Sequence, residues 1–245
     1  MLSQLKSYLS DERKELKTEI PKPEYIAWWA LRFAMIGMIL FNVSRKREGM
    51  VIFIMSLNLL VTFIIPIIRT VFFKKIFLGN LPFRIQSFID VFVFAGSFLG
   101  HGLDYNGTVP EYDKYMHFIS GGITVFIGYK VFMSVKSGKD LPPFLMAAGS
   151  AGFSLGVAML WELFEFFSDF FIPGSANQNW MYVPEKNILF FKIFGEGAQK
   201  TAQYTVFDTD LDLFYASTAC LLCSIGLYIY LKLKEKRRIN NDAEC

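Results

Sequence analysis

The chain has 245 residues, 53% hydrophobic and only 19% charged, where a soluble domain has about 45–50% apolar and roughly 25% charged residues. The net charge of +3 is too small to argue for nucleic acid, and the basic residues flank apolar runs, where membrane topology accounts for them. Cys220, Cys223 and Cys245 provide neither a disulfide framework nor a zinc-site spacing.

Residues 1–24 are charged and lack the apolar core of a signal peptide, so they read as an amphipathic or disordered cytoplasmic tail. A spanning helix needs about 20 mostly apolar residues. Six runs are expected to span, at roughly 25–43, 50–73, 85–101, 113–134, 143–168 and 208–231, forming a membrane domain over 25–231. The fold class is therefore an all-α polytopic membrane helix bundle. The longest connection, about 170–207, holds Pro173, Gly174, Pro184 and the apolar string NILFFKIF, which suits the membrane surface. Residues 232–245 form a basic cytoplasmic tail. Trp28, Trp29, Trp161 and Trp180 suit interfacial belts.

Lysine and arginine set the orientation. With the N-terminus inside, the inner flanks hold Lys6, Arg13, Lys14, Lys17 and Lys22, then Lys74, Lys75 and Arg84, then Lys136 and Lys139, and last Lys232, Lys234, Lys236, Arg237 and Arg238. The outer flanks hold Arg45, Lys46, Arg47, Lys186, Lys192 and Lys200. The balance puts both termini in the cytoplasm. His101 and Asp104, Asp113 and His117, Glu162, Glu165 and Asp169, and Asp208 and Asp212 then share one membrane face, the extracytoplasmic one. Ionisable groups in and beside spans are costly, which makes them candidates for function.

Helical phase narrows the set. Asp113, His117, Ser120, Gly121 and Thr124 share one stripe, as do Ala158, Glu162, Glu165 and Asp169. Asp208, Asp212, Ala216, Ala219 and Cys223 form a third, and Gln86, Asp90, Ser97 and His101 a fourth. Facing one another, the four stripes would leave lipid. Asp90 is also a candidate ion-pair partner for Arg32 or Arg69. Asp210 falls on another face and is expected in water.

Three chemistries fit. Carboxylates and a histidine projecting into a bundle build metal sites, with His117, Glu162, Glu165 and Asp212 as ligands for zinc, manganese, iron or magnesium. Asp113 or Asp208 would then be a general base or support a ligand. Such a centre suits water activation on a lipid-linked or cell-envelope substrate. The same groups suit proton or cation handling in a transporter. Alternatively the acids only cap and pack in a scaffold, Asp113 and Asp208 capping helix starts. The partners implied are membrane lipids.

Three motifs, Asp113-Lys114-x-x-His117-Phe118-x-x-Gly121, Trp161-Glu162-Leu163-x-Glu165 and Asp208-Thr209-x-x-Asp212, resemble the YjdF-like family of bacterial inner-membrane proteins. They cover the last two thirds of the chain in the family's order. The resemblance implies a multi-pass fold in a bacterial inner membrane and no established activity. A looser resemblance reaches the VanZ-like membrane proteins through the Asp-Lys-x-x-His start of a span. The chain departs from that pattern in having no arginine between its fifth and sixth expected spans.

Overall fold

A computed structural model describes residues 2–47, 49–72, 77–135, 141–171 and 204–243. The elements are α1 (Leu2–Glu19), α2 (Lys22–Ser44), α3 (Gly49–Val61), α4 (Ile64–Phe72), a 3₁₀ turn (Phe77–Asn80) and α5 (Arg84–Val93). A π-helical segment (Phe94–Gly102) follows, then the single turn α6 (Tyr105–Thr108), α7 (Tyr112–Ser134), α8 (Pro143–Phe171) and α9 (Tyr204–Ala243). No strand occurs among the described residues.

The chain is a multi-pass, all-helical membrane protein. Helices α2, α7, α8 and α9 are long and apolar enough to cross a membrane. The pair α3 and α4, bent by 50° at their junction, makes a fifth crossing where the two count as one span. The apolar run at 85–101 is divided between the 10-residue α5 and the 9-residue π-helical segment. Most of the expected connection at 170–207 lies outside the described residues.

Two compact units emerge. One holds residues 1–109 and 126–146, the other 110–125 and 147–245, so α7 contributes to both.

The first unit is organised by a broken helix. Pro66 has no N–H to donate, so the Thr62 carbonyl four residues earlier loses its helical partner. Arg32 replaces it, donating Nη2–H to the Thr62 carbonyl and Nε–H to Thr62 Oγ1 at 3.3 Å. At the start of α4 the orphan Ile65 N–H donates to Gln86 Oε1 at 2.9 Å. Gln86 Nε2 in turn donates to Asp90 Oδ1 at 2.6 Å, and Asp90 Oδ2 pairs with Arg32 Nη2 at 3.1 Å. Asp90 thus meets Arg32, the first of its two expected partners. The guanidinium also lies over the Trp28, Trp29 and Phe63 rings. Trp28 is buried and donates its indole N–H to Ser87 Oγ at 2.8 Å, so it is a core residue where a membrane belt was expected. Trp29 and Trp161 keep exposed surface, and Trp180 lies outside the described residues.

The expected N-terminal tail begins with a docked helix. Arg69 donates to both carboxylate oxygens of Glu12, at 2.7 and 3.1 Å, and to the Leu81 carbonyl at 2.6 Å. Glu19 Oε2 accepts the Phe83 N–H at 2.7 Å. Ile20 is buried with Trp28, Ile65, Leu81, Phe83 and Ile85. Pro21 ends α1, because the residue before a proline disfavours helical dihedrals. Pro23 falls in the first turn of α2, where its missing N–H costs nothing.

The second unit packs the first half of α7 against α8 and α9. A Cβ at Gly121 would lie 2.2 Å from the Ala216 carbonyl oxygen, so the backbones of α7 and α9 touch there. Ser154 Oγ donates to the Gly121 carbonyl at 2.8 Å and lies 2.7 Å from Thr124 Oγ1, tying α8 to α7. Cys220 Sγ contacts the Ala151 carbonyl at 3.6 Å, joining α9 to α8.

Two stability predictions follow from these contacts. Asp90→Leu leaves Arg32 buried without its counter-charge and costs about 3–5 kcal/mol. Thermal unfolding in detergent will show a lower Tm for Asp90→Leu than for the double variant Arg32→Met with Asp90→Leu. Gly121→Ala forces α7 from α9 and costs roughly 1–3 kcal/mol. Gly152→Ala, whose Cβ meets nothing within 4 Å, leaves the Tm unchanged or raises it.

Candidate functional site

The second unit gathers charges where α7 begins, α8 nears its end and α9 completes its first turn. Asp113 lies in the first turn of α7, where the N-terminal dipole favours a carboxylate. Lys114 follows it and His117 is one turn further. At 100° per residue Lys114 and His117 share a face.

Lys114 is the hub. It is 7% exposed, and its Nζ lies 2.5 Å from Asp208 Oδ1 and 3.1 Å from Asp113 Oδ2. It lies 2.7 and 2.8 Å from the two oxygens of Asp212. Asp212 is 1% exposed, so its charge has little water to lean on. Three aspartates face one lysine, and the His117 ring lies beside two of them. Just outside the span, burial pushes the Glu111 carboxyl above its ordinary value, and Lys114 opposes the shift.

His117 joins this cluster to α8. Its Nε2 lies 3.6 Å from Asp113 Oδ1 and 3.6 Å from Asp212 Oδ1. Its Nδ1 lies 3.6 Å from Glu162 Oε1. Glu162 is 6% exposed, and the Thr209 side chain on α9 is its hydrogen-bond neighbour. A buried carboxylate is costly unless such partners meet it.

Asp113, His117 and Asp212 each offer one ligand atom, and these atoms lie within 4.8 Å of one another. Around a tetrahedral ion with bonds near 2.1 Å, neighbouring donors are about 3.4 Å apart. The two separations from His117, 3.6 Å each, approach that edge and the third is at most 4.8 Å, so the triad is one that could hold a metal ion. Asp113, with a side chain 37% exposed, opens this corner to the surroundings.

The expected site residues thus separate into roles. His117 and Asp212, expected as ligands, lie in the converging triad. Asp113, expected as a base or supporting group, completes it. Glu162 lies against the opposite nitrogen of the His117 ring. Glu165 Oε1 accepts the Trp161 indole N–H at 2.7 Å on its own helix. Asp208 was expected at a helix start. Because α9 begins at Tyr204, it lies past the first turn and pairs with Lys114 instead of capping. Asp210 is exposed, as expected. The stripe of Gln86 and Asp90 serves the first unit's broken helix, although all four stripes were expected to share one interior. His101 also belongs to the first unit, as does Asp104, which pairs with Arg47 at 3.7 Å. The side chain of Asp169 lies outside the described residues.

Sequence reasoning missed Lys114, counting it only as a motif letter. A lysine in an apolar run is as costly as an aspartate, and its shared face with His117 was readable from the spacing.

A multi-pass helical membrane protein with a buried lysine, histidine and carboxylate cluster is the class that fold and site define. Residues 26–233 match the family described as "Predicted membrane protein (DUF2238)", which is the YjdF-like family, and the chain belongs to it. No curated protein and no solved structure matches the chain.

Lys114→Met leaves three aspartates facing one another without their cation, at a cost of about 3–5 kcal/mol. Its Tm falls, and adding Asp208→Asn, which removes one of the repelling charges, restores part of the loss.

Proposed function

We propose that the second unit is a divalent-metal centre in a bacterial inner-membrane protein, acting on a lipid-linked or cell-envelope substrate. The observation that carries this reading is the spacing of His117 Nε2 from Asp113 Oδ1 and Asp212 Oδ1, 3.6 Å in both cases. The crowding of three aspartates around one ammonium agrees with it, because a cation is favoured beside clustered carboxylates. Three protein ligands leave a coordination position open, as catalytic sites do. Zinc, manganese or iron suits a donor set of one imidazole and two carboxylates, with magnesium a weaker match.

Glu162 lies 3.6 Å from the other nitrogen of the His117 ring. A carboxylate on the other ring nitrogen orients a ligating histidine and raises its basicity. Lys114 holds Asp208 and Asp212 in place and offsets part of their charge. A bound divalent ion would supply Lewis acidity. The substrate class rests on the setting. Exposed Tyr115, Phe118, Trp161 and Leu163 flank the polar residues along α7 and α8, matching a ligand with a polar head and an apolar tail. The lysine and arginine balance supports cytoplasmic termini and an extracytoplasmic site.

A second reading is an ion-coupled permease. Asp113, His117 and Glu162 form a line from a part-exposed to a buried group, with 3.6 Å steps, as a proton relay requires.

The full chain, purified without chelator, will retain about one equivalent of a transition metal by elemental analysis, as one such ligand set implies. His117→Ala and Asp212→Asn lose it. Glu162→Gln weakens binding by about 10–100-fold, and Glu165→Gln keeps it. If no metal is retained and added zinc or manganese shows no saturable binding, the metal reading fails. Proton-coupled uptake in proteoliposomes, abolished by Glu162→Gln, would then support the permease. Unchanged cellular phenotypes in all these variants would support a scaffold.

A further inference from the structure

Helix α1 sorts its charges by face. Along a helix turning 100° per residue, Glu12, Glu15 and Glu19 lie within about 60° of one another, and Lys6, Arg13 and Lys17 within about 40° on the opposite side. The acids are consumed by the fold. Glu12 and Glu15 pair with Arg69, and Glu19 accepts the Phe83 N–H. Lys6, Arg13 and Lys17 are exposed and make no ion pair among the described residues. Lys14 beside them reaches only Asp11, at 3.4 Å with both side chains largely in water. A helix with as many acids as bases in its sequence therefore presents a basic outer face.

Its position gives that face a partner. Helix α1 runs through Ile20 and Pro21 directly into the spanning helix α2, and it packs on Arg69 in the last turn of α4. Both are helix ends at a membrane boundary. Charges at such a boundary act on the lipid surface over a Debye length of about 8–10 Å.

We propose that α1 is an anionic-phospholipid sensor, its Lys6, Arg13 and Lys17 face bound to the headgroups of the membrane the protein spans. The inference is independent of the metal centre. Anionic surface attracts juxtamembrane basic residues, and each such charge changes affinity about fivefold. Glu12 and Glu15 take part through Arg69. By clamping the acids inward they keep the outer face uniformly positive.

The test uses the full chain in phosphatidylcholine nanodiscs with and without phosphatidylglycerol. Phosphatidylglycerol raises the Tm of the wild type, and the rise shrinks as salt increases. The variant Lys6→Gln with Arg13→Gln and Lys17→Gln keeps the wild-type Tm in phosphatidylcholine, because those side chains are exposed and make no ion pair among the described residues, and loses the phosphatidylglycerol rise. The charge-conserving variant Lys6→Arg with Arg13→Lys and Lys17→Arg retains it. The proposal is overturned if phosphatidylglycerol has no effect on the wild type, or if it stabilises the glutamine variant equally. It is also overturned if soluble polyglutamate stabilises the wild type in phosphatidylcholine as much as the lipid does, which would mark an acidic polypeptide as the partner.

Discussion

A charge withdrawn from water must find its opposite within the protein, and in this chain the ammonium of Lys114 does so three times over. Asp113 and Lys114 come from α7, Asp208 and Asp212 from α9, so one lysine ties two helices through salt bridges of 2.5–3.1 Å. In an apolar surround such a contact is strongly directional in its consequences. Moving α9 by one residue would swing Asp212 away from Lys114 and strand both. The relative register of the two helices is thus set by electrostatics.

Their separation is set by size. Gly121 and Ala216 lie one turn beyond His117 and Asp212, on the same faces, and there the α7 backbone meets the Ala216 carbonyl. Close approach through small residues is how membrane helices gain packing when lipid offers no hydrophobic drive. Here it also brings Asp212 to 3.6 Å from the His117 ring. Ser154, bonded to the Gly121 carbonyl, fixes α8 at the same level, and Glu162 follows two turns later on that helix.

The first unit answers the same constraint differently. Pro66 breaks the apolar helix between α3 and α4, and the freed backbone groups recruit Arg32 and Gln86, which in turn require Asp90. Arg69 is matched by two glutamates from α1. Buried charge in that unit repairs a broken helix and docks a terminal one, whereas in the second unit three aspartates and Glu162 gather around one lysine and one histidine. The histidine set among carboxylates from three helices sets the second cluster apart from a simple ion pair.

The all-helical membrane class was legible in the sequence, because long apolar runs have few alternatives in lipid. So were the stripes that place Asp113 with His117 and Asp208 with Asp212, since helical phase depends only on spacing. The pairing of Asp90 with Arg32 was legible as one of two choices, because an acid deep in a span needs a cation. Tertiary structure alone decided which stripes meet. It sent Gln86 and Asp90 to the broken helix, turned Trp28 inward, and docked α1 on Arg69. It placed Lys114 among three aspartates, and it assigned Glu162 to the far side of the His117 ring. Spacing fixes the direction of a side chain about its own helix axis. The partner it meets depends on how separate helices approach, through contacts such as Gly121 on Ala216, and those distances are not written in the period of any one helix.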